Sequence, residues 1–510
     1  MKYLILILTC LLLVACSGRQ EATLYPPTLT INGSNNHEFA RAYRIAIGDL
    51  TTNIQKYQAG LLNQPKPCIL AGLVYDTPWT RDASINTWNA AGLLFPSAAK
   101  HTLLAQVTTD ESGQNIIDGQ YWDKIVWGIG AWNYYLYNHD RPFLKFSHNV
   151  IKNTLEILET TELDKTLQLF RGPAVYGDGV AAYPLYYTSA ADPEKEASYS
   201  AILDWIDNNP DKLAIIGKGL PMMTLSTNCV YAEVYKIMHE IEEVLSLSKQ
   251  TDWLQKSNSL QQSIKKNFWN EERKSFNYLI DPQGHCDYQE GMGLAYAILF
   301  DIADSDQKSK IFQNIHLEPA GIPCVYPSFP RYKKTKDAYG RHSGTVWPHI
   351  QGFWADACIK NDNIDGFLHE FRNLAKHAVR DNQFVEIYHP VTGLPYGGLQ
   401  EPWLDQETIW FCAERQTWSA TAYLRMILLN IIGMEFKVDG IEFHPFLPEE
   451  FSRLEFGDLH YGDQVINIQI SGKGNHLESF QVNGMEQKNF LPYSKRGQNM
   501  IEMIVSEKYE

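Results

Sequence analysis

The chain has 510 residues, a length that allows two or three ordinary domains or one large barrel with an appendage. Apolar residues make up 44% and charged residues 20%, which excludes a disordered, collagenous or coiled-coil chain and leaves ample material for a core. The formal net charge is −15, so the general basic field that nucleic acid or an anionic membrane surface favours is lacking. Aromatic content is 12%, with 13 Trp, 28 Tyr and 22 Phe. Rings at that density serve a core, and they are also what stacks on sugar faces in a carbohydrate site.

The N-terminus opens with Met1-Lys2, an apolar run from Tyr3 to Val14, and Ala15-Cys16-Ser17-Gly18. A single early positive charge, a short apolar stretch and a small residue before the cut predict a secretory signal over 1–15. The run is short for a bilayer span. Leu13-Val14-Ala15-Cys16 resembles the lipobox of bacterial lipoproteins, which implies lipidation of Cys16 and a membrane anchor facing the periplasm or the cell surface. Residues 16–36 are polar and turn-rich, with Pro26, Pro27, Asn32, Gly33 and Ser34, and are expected to be a tether.

From 37 to 433 amphipathic helical segments alternate with long loops rich in Gly, Pro and aromatics. Apolar residues at three- and four-residue spacing predict helices over 37–58, 82–94, 122–138, 142–161, 226–246, 250–268, 289–302, 305–315, 344–360, 363–380 and 415–432. Beyond Gly433 the period changes to two. Val438–His444, Leu454–Tyr461, Gln464–Ile470 and Leu477–Val482 alternate apolar and polar residues between Asp-Gly, Gly-Asp and Asn-Gly turns. These predict a small antiparallel β domain over 434–510. Many helices without a βαβ pattern or a fixed short repeat point to a mainly α chain, a large α-barrel or toroid over 37–433.

Chemistry concentrates in the loops. Tyr75-Asp76-Thr77-Pro78-Trp79-Thr80-Arg81-Asp82 runs into a helix; Trp79 could stack on a sugar while Arg81 and Asp82 bind its hydroxyls, or Asp82 could be a plain helix cap. Phe170-Arg-Gly-Pro-Ala-Val-Tyr-Gly-Asp178-Gly sets a carboxylate between glycines, either as a turn residue or projecting into a cleft for acid work. Further on come Gly340-Arg341-His342-Ser343-Gly344-Thr345-Val346-Trp347-Pro348-His349, Glu386-Ile-Tyr388-His389-Pro390-Val-Thr392-Gly393 and Ala413-Glu414-Arg415-Gln416-Thr417-Trp418-Ser419-Ala420.

Together and in this order, these segments resemble the signatures of the six-hairpin (α/α)6-barrel glycosidases, most closely glycoside hydrolase family 63 and the related trehalase and debranching-enzyme families. The similarity spans about residues 75–430, and the stretch around Asp178 departs from the Ser-Gly-Trp-Asp form common there. The resemblance implies an exported hydrolase of an α-linked oligosaccharide or glycan that acts with inversion. Asp178 is the implied general acid and Glu386 the implied base, with Tyr388 and His389 beside it to orient it or the water. In such enzymes the two carboxyls stand roughly 6.5–9.5 Å apart to admit a water. Glu401, Asp405, Glu407 and Glu414 are competing carboxylates. Trp79, Arg81, Asp82, Arg341, His342, Trp347, Tyr388, Glu414 and Trp418 are the candidate sugar-binding residues.

No cofactor is expected, and His342, His349 and His389 lack a zinc-ligand spacing. The six cysteines past the leader include no CxxC pair, and their pairing is open. Two rival readings remain. A glycoside phosphorylase would use Arg341–Thr345 for phosphate and need no protein base. A non-catalytic glycan-binding lipoprotein would need the aromatics and the anchor alone.

Overall fold

A computed structural model describes residues 26–34, 36–187, 201–209, 219–333, 335–400 and 409–507. Cys16, the leader and the competing carboxylates Glu401, Asp405 and Glu407 lie outside the described residues. The longer helices, in chain order, are α1 Asn36–Thr52, α2 Thr80–Asn86, α3 Pro96–Ala105, α4 Trp127–Asn138, α5 Arg141–Thr161, α6 Leu225–Leu245, α7 Trp253–Phe268, α8 Gly291–Leu299, α9 Ser305–Asn314, α10 Pro348–Ile359, α11 Ile364–Asp381 and α12 Thr417–Arg425.

The even-numbered helices pack in a closed circuit: α2 on α4, α4 on α6, α6 on α8, α8 on α10, α10 on α12, and α12 back on α2. Several odd-numbered helices lie outside this circuit, α5 and α7 against α6, α11 against α10, and α1 against α12 and α11. The sequence separates the two classes. Inner helices are buried nearly all round; every residue of α2 and α12 is buried. Outer helices bury one stripe, as α11 does with Phe367, Phe371, Leu374 and Ala378.

Capping separates them too. Asp140, Asp252, Asp304 and Asn363 accept from the first-turn amides of outer helices α5, α7, α9 and α11. The inner helices begin at Trp79, Val126, Thr224, Glu290, Trp347 and Gln416 with no side-chain cap. Several of their first amides are taken up by other segments instead: Leu225 donates to the Tyr278 carbonyl, Ser226 to the Glu290 carboxylate, Gly291 to the Cys324 carbonyl and Thr417 to the Ala71 carbonyl.

Several sequence expectations shift. The helix expected over 37–58 stops at Thr52, because Ile54–Tyr57 pairs with Lys66–Ile69. The helix expected from 344 starts at Pro348, where proline is tolerated in the first turn; Val346 before it bridges Tyr388. Helix α3 was not among the expected elements.

The C-terminal unit holds a sheet of β1 Thr28–Gly33, β2 Phe451–Tyr461, β3 Gln464–Gly472, β4 His476–Val482, β5 Met485–Glu486 and β6 Gly497–Ser506. Their order is β1-β2-β3-β6-β4-β5. Two expectations are corrected here. Residues 28–33 are no tether: Leu29 and Ile31 are buried, and the strand pairs antiparallel with β2. The sheet is mixed rather than antiparallel, since β3 and β6 run parallel. A smaller sheet of Met434–Phe436, Gly440–Phe443 and Phe490–Pro492 joins it to the helices. Phe39 packs edge-on to Phe451, and His139 stacks on Tyr493 with centroids 3.4 Å apart. All six described cysteines are free thiols, and no described helix is long and apolar enough to cross a membrane.

Gly433 makes the turn from the last helical residues into the sheet with φ +75°, and a Cβ there would meet the His444 backbone at 2.1 Å. Gly484 has the same φ with open space around it. Gly484→Ala is expected to cost about 1 kcal/mol, the left-handed penalty alone. Gly433→Ala is expected to cost at least about 1 kcal/mol more, because the backbone must move. Paired urea melts check this, and equal losses would contradict the close approach.

Candidate active site

The candidate residues meet at the uncapped end of the inner ring. Trp79 is the residue before α2 and is 45% exposed, leaving a ring face at the mouth. Arg81 and Asp82 follow in the first turn of α2 and are buried. A buried guanidinium needs anionic partners, and Arg81 has them: it donates to Asp123 and Gln120 at the start of the α4 segment, and to Asp178 at 2.9 Å.

Asp178 sits in the loop between α5 and α6. The flanking glycines answer to close approaches: a Cβ at Gly177 would meet the Tyr183 hydroxyl at 2.4 Å, and one at Gly179 the Gln400 amide at 2.2 Å. The loop is pinned from below by Val175, whose N–H donates to Ser226 Oγ, and by Tyr183, whose hydroxyl donates to the Gly177 carbonyl. The carboxylate itself is 43% exposed. Burial pushes its pKa upward, but Arg81, with Arg341, outweighs that and holds it below the usual carboxylate value. Asp178 is therefore ionised in the free protein.

Glu386 is held more tightly. Its Oε1 accepts from the Tyr75 hydroxyl at 2.9 Å; its Oε2 accepts from Arg341 at 2.7 Å and from the Ala413 amide at 3.2 Å. Three donors to one carboxylate fix its orientation. Arg341 is anchored in turn on the Gly397 and Phe411 carbonyls, and its guanidinium lies over the rings of Trp347, Trp410 and Phe411. Arg341 also lowers the pKa of Asp178, so one cation senses both carboxylates.

Between them lies Asp82. Burial, helped by the negative charges of Glu386 and Asp178 and opposed by Arg81, pushes it up to about 8. Gln416, the residue before α12, donates to its Oδ1 at 3.1 Å. A carboxyl that is neutral at pH 7 can donate a hydrogen bond to a hydroxyl, which a carboxylate cannot.

The wall is aromatic. His342 stacks on Trp347 with centroids 4.6 Å apart, His349 stacks on Trp418 at 4.0 Å, and Tyr176 approaches both histidines. His342 Nε2 lies 3.7 Å from Asp178 Oδ1. Burial presses His342 down to about 3, so it is a neutral neighbour of Asp178 at physiological pH. Both nitrogens of each histidine and the Trp418 indole nitrogen are buried without a hydrogen-bond partner among the described residues. Polar atoms left open in this way are what a polyhydroxyl ligand would satisfy.

The structure thus brings together Trp79, Arg81, Asp82, Asp178, Arg341, His342, Trp347, Glu386 and Trp418. It does not bring Tyr388 or Glu414 to them. Tyr388 is fully buried against His377, with ring centroids 4.7 Å apart, and its backbone bridges Val346. Glu414 is exposed, and it is its carbonyl that binds, accepting from Leu73. His389 does not orient Glu386: its Nδ1 accepts from Val391 and Thr392 and its Nε2 meets the Asp337 carbonyl. The groups that do orient Glu386 and Asp82, namely Tyr75, the Ala413 amide and Gln416, carried no chemical signal of their own. They stand inside the Tyr75–Asp82 and Ala413–Ala420 segments, whose charged residues and tryptophans stand out.

Comparison with known proteins agrees with this geometry. Residues 201–425 match the family model described as amylo-alpha-1,6-glucosidase, and residues 434–484 match that of the glycosyl hydrolase family 65 C-terminal domain. No curated protein matches significantly. Among solved structures, a sialidase superposes with TM-score 0.61 at 13% identity, over 90% of this chain and 40% of that one. A GH78 family rhamnosidase of a Bacillus species gives TM-score 0.55 at 12% identity, over 95% of this chain and 44% of that one. The chain therefore spans less than half the length of either. A GH63 mannosylglycerate hydrolase from Thermus thermophilus, in complex with glucose, gives TM-score 0.56 at 13% identity, over 76% of this chain and all of that one. At such identities the likeness is one of fold. Residues 201–425 and 434–484 are thus similar to segments of glycosidase families, each over less than half of the chain, and the whole chain shares its fold with these structures.

Proposed function

We propose that this glycosidase cleaves an α-linked oligosaccharide or glycan with inversion, Asp178 serving as general acid and Glu386 as general base. The observation that carries the reading is the unequal treatment of the two carboxyls. Glu386 is buried, paired with Arg341 and aimed by Tyr75 and the Ala413 amide, as a base that must hold a water requires. Asp178 is reachable from solvent and has Arg81 on one oxygen and neutral His342 near the other. A bound sugar would cover its exposed side, and losing water raises a carboxyl's pKa. Protonation for acid work is thus coupled to substrate binding. The geometry around Glu386 favours hydrolysis over phosphorolysis, since a phosphorylase has no use for a base held by three donors.

The closed circuit of even-numbered helices with odd-numbered helices outside it supports reading residues 37–433 as an (α/α)6 barrel. Residues 434–510, with β1 added, would be its β domain. The lipobox-like leader remains the basis for proposing export and a lipid anchor at Cys16, outside the described residues.

Asp178→Asn and Glu386→Gln are each expected to lower kcat on the cleaved glycoside about 10²–10⁴-fold. The melt is expected to stay put for Asp178→Asn, because Arg81 keeps Asp123, and to fall for Glu386→Gln, which leaves buried Arg341 without its carboxylate. Full turnover by both variants would remove the assignment; binding of glycans by the wild type with no cleavage would favour a capture protein instead.

The pH profile offers a second check. Catalysis needs Asp178 protonated, so kcat/KM falls as pH rises through its pKa, and Arg81 holds that pKa low. Arg81→Gln removes the lowering charge and is expected to move the alkaline limb of kcat/KM to higher pH while reducing its maximum. A limb that stays put, or moves to lower pH, would show that another group is the acid.

A further inference from the structure

A second cavity, of about 710 Å³, opens at the far end of the ring, between the C-terminal ends of α4, α8, α10 and α12 and the sheet segment from Gly433 to Phe436. It shares no lining residue with the catalytic cluster, and its volume is in the range of small-molecule sites.

Its lining carries unmet hydrogen-bonding capacity. Arg425 and Asn430 are 3% and 2% exposed. Arg425 donates through Nη2 to Asp356, and Asn430 through Nδ2 to the same carboxylate at 2.9 Å. Yet Arg425 Nε, Asn430 Oδ1 and the nearby Glu233 Oε2 are buried atoms with no partner among the described residues. Orphaned polar atoms in a folded interior call for a ligand or water to complete them.

A backbone feature points to the same place. Among the described residues, π-helical turns occur at Thr87–Ala91 and Met426–Ile431, and they supply Trp88 and Asn430 to this lining. Such turns break the regular helix ladder and are frequent at functional sites.

The chemistry of the walls selects the ligand. Lys308 is matched by Asp301 at 2.8 Å, Arg425 and Lys360 share Asp356, and Glu233, Asp362 and Glu435 add further carboxylates, so acidic groups outnumber cations on the lining. That disfavours an anionic ligand. The amide and carboxylate side chains of Asn133, Asn361 and Glu233 along the walls suit the hydroxyl groups of an uncharged ligand.

We propose that this cavity is a second binding site, for a neutral polyhydroxyl ligand of mono- or disaccharide size, distinct from the catalytic cleft.

The test is isothermal titration of the Trp79→Ala protein, which removes the exposed ring at the mouth of the catalytic cleft without stranding a charge, with glucose, maltose and myo-inositol. Saturable one-to-one binding of at least one of them is expected. In the same background Leu299→Trp, which fills the cavity mouth, is expected to abolish binding, and Glu233→Ala, at a partly exposed position, to weaken it at least tenfold. As single changes in the wild type, both should leave kcat/KM within about threefold, which also reports that they fold. No saturable binding of the three compounds, or binding that both cavity variants leave intact, would overturn the proposal. Neither result bears on Asp178 and Glu386, because no turnover is read in the titration.

Discussion

The fold depends on a polar seam that joins the first inner helix to the last. Asn86 in α2 donates to the Thr417 hydroxyl at 2.8 Å and accepts from Thr421 at 2.8 Å, both in α12, across more than 330 residues of chain. Thr417 also binds the Leu70 and Ala71 carbonyls, and Gln416 reaches Asp82 at the same seam. Apolar burial drives the helices together, but it is non-directional and would tolerate a slip of α12 along α2. Paired amides and hydroxyls in a buried seam do not tolerate it, because each displaced group would be left without a partner. Register at the closure therefore fixes where Arg81 and Asp82 stand relative to the 413–418 segment.

From that closure the site follows. The inner helices begin at the end of the ring where Asp178 and Glu386 sit, so the positive ends of their dipoles face these carboxylates. Two arginines then divide the work. Arg341 fixes Glu386 in place, while Arg81 ties Asp178 to Asp123 and keeps it ionised until a ligand changes its surroundings. Truncating either arginine would strand a charge in a low-dielectric setting, which links the site's electrostatics to the stability of the ring. The neutral His342 and His349, stacked on Trp347 and Trp418, add polarity to the wall without adding charge.

Much of this was legible in the sequence, for identifiable reasons. The inner and outer helices were visible because apolar spacing survives in one dimension, and the carboxylate and arginine segments because Gly, Pro and Trp interrupt helical periodicity around them. What stayed hidden needed a partner from far along the chain. Leu29 and Ile31 read as part of a polar tether because the strand they pair with begins at Phe451. The parallel pairing of β3 with β6 is likewise a choice of partner, which alternation alone does not encode. Tyr388 looked like a neighbour of Glu386 from its spacing; its ring packs on His377 instead, and its backbone bridges Val346. Tyr75 and Gln416 act through hydrogen bonds spanning 311 and 334 positions, beyond any local pattern.

The central claim is that two differently held carboxyls act on opposite faces of one sugar. It is tested most directly by following the first-formed product by proton NMR as an α-linked substrate is cleaved. Release of the β-anomer, mutarotating afterwards to the equilibrium mixture, is the predicted result. Initial release of the α-anomer would mean a covalent intermediate on a nucleophile, and would contradict the account of Glu386 as a base that holds water.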